Sequence, residues 1–168
     1  MAVLENSERI AIARLRAMLE LLPAALDRHL VDVGITAFEF VLLEALHDAD
    51  HRRLRLSALA SRTNATLPRL SRVVTGLEAK GFVMRVPCEE DGRATNAVLT
   101  DTGEALYAQG RPLYDEAVRS TVLSGLDRDG VDRLADLSYS ILTQLDPERR
   151  LAVTADCPAD PPARALRA

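Results

Sequence analysis

The stretch CEEDGRATNA at residues 88–97 sets one arginine, Arg93, behind three consecutive acids and a glycine. Two chemistries are open to that guanidinium. It can pair with Asp91 at the tip of a hairpin, a surface ion pair worth roughly 0–1 kcal/mol. Or it can project from the turn towards a polyanion, with Gly92 allowing the tight bend. A second set lies upstream, where Thr66, Pro68, Arg69, Ser71, Arg72 and Thr75 stand at helical spacing, and Arg85 follows on the way to the turn. Arginines in such a set can pair with guanine or phosphate, and hydroxyls can bond backbone oxygens or bases.

Catalytic chemistry finds little foothold. No phosphate-binding glycine loop, no GxSxG and no HExxH occurs. His29, His47 and His51 lack partners at metal-ligand spacing, and His47, Asp48, Asp50 and His51 read as a solvated turn. Neither a metal nor another cofactor is expected, and the chain does not read as an enzyme. Cys88 lies beside Glu89 and Glu90, which disfavour a thiolate, so an inert thiol is expected there.

Charge is uneven along the chain; composition alone favours a solvated charged face, with a polyanion site as the other reading. The chain of 168 residues carries a formal charge of −4, yet residues 51–96 hold nine basic and four acidic side chains, a local +5 against −9 elsewhere. A basic middle between acidic ends fits one segment meeting a polyanion while the rest stays dissolved. The length predicts one domain, or one domain with an appendage. No apolar run approaches membrane-spanning length, the first residues lack the pattern of a secretory signal, and the two cysteines imply no disulfide framework. A cytoplasmic location is expected.

The elements that must position these residues follow from periodicity and capping. Ile12, Leu15, Leu19, Leu22, Leu26 and Leu30 form a helical stripe, with Ser7 as expected cap and a kink expected at Pro23. Thr36 and Glu39 form a capping box flanked by Ile35 and Phe40, predicting a helix over 37–47. RLRLS at 53–57 alternates as a short strand, and Ser57 is expected to cap a helix to Thr63. Asn64 suits a left-handed turn, and Thr66 is expected to cap a helix that stops at Gly81. Leu70, Val73, Val74 and Leu77 share one face of that helix, away from the polar set. Two β-type runs, 82–87 and 94–100, flank the acidic turn. Thr100 then caps a long helix strained at Gly110 and Pro112, and Asp127 caps the last, whose apolar side runs from Val131 to Leu145.

The result is mainly α with a small β wing: a winged helix-turn-helix domain over 36–100, helices over 7–35 and 101–146, and a mobile tail over 147–168. The span Leu56–Gly103, in particular LEAKGFVMR, the Asp-x-Arg of Asp91 and Arg93, and the LTxxG of 99–103, resembles the MarR family of winged-helix transcription regulators. Agreement in helix order extends over 7–145.

The resemblance implies that Arg93 enters a minor groove with Asp91 orienting it, where negative potential attracts arginine. It implies a homodimer through the terminal helices on double-stranded DNA with a pseudo-palindromic site; the apolar stripes of those helices could cover one another, but a two-fold dimer buries them more fully. It implies a repressor relieved by a small aromatic or phenolic effector. Arg16, His29, Phe38, Tyr107 and Tyr114 lie on the elements that would line its pocket. The alternative is a winged-helix protein–protein module, for which more apolar side chains would be exposed over 66–76.

Overall fold

The computed structural model describes residues 3–88 and 94–155. Six helices and three short strands follow in order: α1 (Asn6–His29), α2 (Ala37–His47), β1 (Arg53–Arg55), α3 (Leu56–Arg62), α4 (Leu67–Ala79), β2 (Val83–Pro87), β3 (Thr95–Leu99), α5 (Asp101–Thr121) and α6 (Arg128–Leu145). The fold is a winged helix-turn-helix carried between terminal helices.

α2 is the hub. Its Phe40, Leu42, Leu43 and Leu46 are fully buried, in one core with Leu59 of α3, Leu70, Val74 and Leu77 of α4, and Val83, Ala97 and Leu99 of the sheet. α5 closes the other side with Leu106 and Tyr107. The expected capping box starts α2: the Glu39 N–H donates to Thr36 Oγ1 at 3.1 Å and the Thr36 N–H to Glu39 Oε2 at 2.8 Å. Asp27 of α1 adds a third anchor by accepting from the Ala37 N–H at 2.7 Å.

The sheet is antiparallel in the order β1-β3-β2, with Met84 opposite Val98 and Val98 opposite Arg53. β1 thus becomes the third strand of the wing. α4 ends as expected, with Gly81 at φ +78 and its neighbour Phe82 N–H returning to the Leu77 carbonyl at 3.0 Å. Thr100 caps α5 through the Gly103 N–H and also donates to the Gly81 carbonyl at 2.7 Å, so the end of α4 and the start of α5 are one joint.

Several boundaries differ from the sequence reading. α1 starts ahead of Ser7, because the Glu8 carboxylate reaches back to the Glu5 N–H at 2.7 Å. α3 starts at Leu56, so Ser57 lies in its first turn: β1 runs directly into the helix with Arg55 at the cap. α5 continues through Gly110 and Pro112 to Thr121, and a 3-10 turn over Leu123–Gly125 follows. Gly110 answers a packing need, since a Cβ there would sit 3.2 Å from the Phe40 ring.

The segment after α6, expected to be mobile from Pro147, forms hydrogen-bonded turns as far as residue 155. Asp146 accepts from the N–H groups of Arg150 and Leu151 and from the Thr154 hydroxyl, which together hold its carboxyl below the usual range. The turns dock on α3, where Ser61 Oγ donates to the Arg150 carbonyl at 2.6 Å.

The joint at the start of α5 generates a stability test. A Cβ at Gly103 would fall 2.1 Å from the Phe82 carbonyl oxygen, far inside contact distance. Gly103→Ala is expected to cost about 3 kcal/mol, the upper end for overpacking, read as a lowered urea midpoint; a midpoint equal to that of the parent chain would contradict the close approach.

Candidate nucleic-acid interface

α4 has two unlike sides. Leu70, Val74 and Leu77 are fully buried, and the opposite side carries Thr66, Pro68, Arg69, Arg72 and Thr75, all exposed. Apolar residues at steps of four and three, packed on α2 and α3, decide which side turns outward. Beside the exposed side runs an open groove of about 440 Å³ between the start of α2 and α4, lined by Thr36, Glu39, Arg69, Arg72, Val73 and Gly76.

The three described arginines of the expected DNA-contact set stand in three different states. The Arg69 guanidinium carbon lies 4.3 Å over the ring centroid of Phe38. Arg72, one turn further along, has no hydrogen bond or ion pair among the described residues. Arg85 is drawn inward from β2. Its Nη1 pairs with Glu78 Oε2 at 2.5 Å, and its Nη2 donates to the Ser71 carbonyl at 2.9 Å and to Thr75 Oγ1 at 3.0 Å. Its backbone N–H adds a bond to Glu78 Oε1 at 3.1 Å. Ser71, Thr75 and Arg85 therefore form a clamp between the wing and α4.

Thr66 occupies the cap position by its backbone angles, but its hydroxyl accepts no bond from the helix. Pro68, at the second helical position, lacks one of the two N–H groups that a cap hydroxyl can accept. The hydroxyl is left on the exposed side. Asp91 and Arg93 lie outside the described residues. Cys88 is buried just before them, its N–H donating to the Ala94 carbonyl across the hairpin.

The expected effector residues stand on α1, α2 and α5. Arg16 and His29 are exposed on α1, and Phe38 faces α4 under Arg69. Tyr107 and Tyr114 both stack on Phe40, with centroids 5.5 and 4.4 Å away. Around them lies a polar network that the sequence reading did not single out. Arg111 Nη1 donates to Glu44 Oε1 at 2.6 Å and to the Tyr107 hydroxyl at 3.2 Å, and its Nε to Asp115 at 3.1 Å. His47 lies against Tyr107 and meets Glu104 at 2.9 Å. Burial pushes the Glu44 carboxyl up against the pull of Arg111, and it also raises the Tyr107 and Tyr114 hydroxyls. The Arg111–Asp115 spacing of four was visible in the sequence; the pairing with Glu44, 67 residues away, was not. Among the described residues no group of three or more His, Cys, Asp or Glu side chains is placed to hold a metal, and no helix is long and apolar enough to cross a membrane.

The clamp makes its own prediction. Lysine keeps the charge of Arg85 but not the planar fork that serves Glu78, Ser71 and Thr75 together. Arg85→Lys should lose about 1–3 kcal/mol in urea unfolding. In a double-mutant cycle with Glu78→Gln the two losses should be non-additive by about 0.5 kcal/mol or more; strict additivity would show that the clamp contributes nothing.

A sequence model of the MarR family matches residues 35–95, from just ahead of α2 to the first residue of β3. Among solved structures, Sco3205 of Streptomyces coelicolor, a MarR family transcriptional regulator solved in complex with DNA, is 31% identical at a TM-score of 0.83, covering 89% of this chain and 97% of its own. AbsC of the same organism, also a MarR family transcriptional regulator, is 27% identical at a TM-score of 0.82, covering 88% of this chain and 99% of its own. BpsR of Bordetella bronchiseptica, whose DNA binding is regulated by 6-hydroxynicotinic acid, shares the fold at 23% identity and a TM-score of 0.73, over 84% of this chain and 98% of its own. With the helix-turn-helix, the wing and a relative of this similarity spanning nearly all of both chains, the chain belongs to the MarR family of transcriptional regulators.

Proposed function

We propose that the protein is a homodimeric, sequence-specific DNA-binding repressor that a small aromatic or phenolic ligand releases. The observation that carries this reading is the division of α4. A rigidly packed inner side presents an outer side of arginine, threonine and proline with a single large exposed apolar residue, Leu67. A helix so divided fits a major groove, where Arg69 and Arg72 meet bases and phosphates and Thr66 bonds the backbone. That composition also speaks against a protein-docking module, which would expose more apolar side chains there. Arg93, oriented by Asp91, is assigned to the adjoining minor groove on the strength of the family motif.

Dimerisation is supported by what the single chain leaves uncovered. Neither α1 nor α6 contributes one buried residue. Ile12, Met18 and Leu19 of α1 and Val131, Leu134, Leu137, Ile141 and Leu145 of α6 stay exposed. Apolar surface on that scale calls for a partner, and a two-fold pairing of these helices presents two α4 helices to a pseudo-palindrome. For the ligand, BpsR, whose DNA binding is regulated by 6-hydroxynicotinic acid, motivates an effector. The α2–α5 surface around Tyr107 and Tyr114 is where it would act.

The test is a titration on a duplex that the protein itself enriches from a random-sequence pool. Arg72→Ala should lower the slope of log affinity against log salt by roughly 0.9 for each phosphate that is no longer neutralised. Arg93→Ala should weaken binding about ten- to hundredfold while sedimentation still reports a dimer. Enrichment of no sequence, or a monomer at micromolar concentration, would refute the proposal.

A further inference from the structure

We infer that Phe38 is a positioning residue for base recognition, holding Arg69 as the reader of one base pair in each half-site while Arg72 serves phosphate. The inference deepens the DNA-binding reading above and rests on it.

Phe38 is an unusually fixed platform for a half-exposed ring. It is the second residue of α2, and the backbone on either side is pinned. The Ala37 N–H donates to Asp27 of α1, and Thr36 and Glu39 exchange the two bonds of the capping box. The same end of α2 is tied to the far end of α4, because Lys80 reaches both Glu39 Oε1 at 3.3 Å and the Gly34 carbonyl at 3.4 Å. Its chain neighbours Ile35, Ala37 and Phe40 are buried in the core. The backbone that carries the ring thus has a defined place relative to α4.

Arg69 lies over that ring, 4.3 Å from its centroid. An exposed arginine is ordinarily a rotamer-rich chain that loses that freedom when it binds. An aromatic face attracts the guanidinium and narrows its range before DNA arrives. The ring attracts the cation through its π face and offers no carboxylate or carbonyl acceptor, so the N–H donors are not consumed. Among the described residues no hydrogen bond engages the Arg69 side chain. Reading guanine requires two donors aimed together at O6 and N7, and a guanidinium held in this way supplies them with little further ordering.

The neighbouring arginines lack that arrangement. Arg85 has its fork filled by Glu78, Ser71 and Thr75. Arg72 has neither an aromatic platform nor a described partner, which suits a contact tolerant of geometry, as to phosphate. The helix thereby assigns one arginine to sequence and one to the backbone.

The experiment uses the full-length dimer and the duplex enriched from a random pool, with a panel of single base-pair substitutions in that duplex. Arg69→Ala should flatten discrimination at one position in each half-site. Phe38→Leu should reduce discrimination at that same position about two- to fivefold, leaving the other positions and the salt slope as in the parent chain. Phe38→Tyr, which keeps the ring, should restore it. The double variant Phe38→Leu, Arg69→Ala should discriminate no worse than Arg69→Ala alone. The inference is overturned if Phe38→Leu leaves the profile intact, if its effect spreads evenly over all positions, or if Arg69→Ala changes no position. A parent chain that enriches no sequence refutes the DNA-binding reading itself, an outcome distinct from these three.

Discussion

The inner side of α4 is the constraint on which the rest depends. Leu70, Val74 and Leu77 are fully buried against a core whose centre is α2. Fully burying a side chain of this kind is worth about 1.5–3 kcal/mol, and three on one short helix leave it a single rotational setting. Once that setting is chosen, the angular positions of Arg69, Arg72, Thr66 and Thr75 follow. A helix meant for a groove must be specified in rotation as well as in place, and here rotation is specified by what the helix hides.

Two further devices refine the setting. At one end, the Schellman turn at Gly81 and the Thr100 hydroxyl lock α4 to the start of α5. Along its side, the Arg85 fork ties β2 to Ser71, Thr75 and Glu78. These bonds join wing and helix, so β2, and β3 paired to it, have a defined position relative to α4. The α2–α5 network around Arg111 lies on the other side of the same hub. A change there in how α5 sits on α2 would be felt by α4 through the shared core, which is the physical route open to an effector.

Much of this architecture was legible in the chain. The Thr36–Glu39 box, the left-handed Asn64, the Gly81 stop and the caps at Thr100 and Asp127 are local signals, and each stands where its spacing predicted. What escaped depended on distant partners. Arg85 reads as a DNA contact in the sequence, and only the folding of β2 against α4 shows its fork filled. Phe38 reads as packing or pocket lining, and only the approach of α4 to the start of α2 brings Arg69 over it. The docking of residues 147–155 on Ser61 was hidden behind a composition that signals mobility. Thr66 failed as a side-chain cap for a local reason that was visible: Pro68 removes one of the amides a cap would serve.

The central claim is that two copies of α4, presented by dimerised terminal helices, occupy successive major grooves on one side of a duplex. Dimethyl sulfate protection of guanine N7 on the enriched duplex measures that directly, since N7 faces the major groove. The account predicts two protected segments centred about 10–10.5 base pairs apart, related by the two-fold symmetry of the site. One protected segment, or two at a spacing that is not a whole number of helical turns, would contradict it.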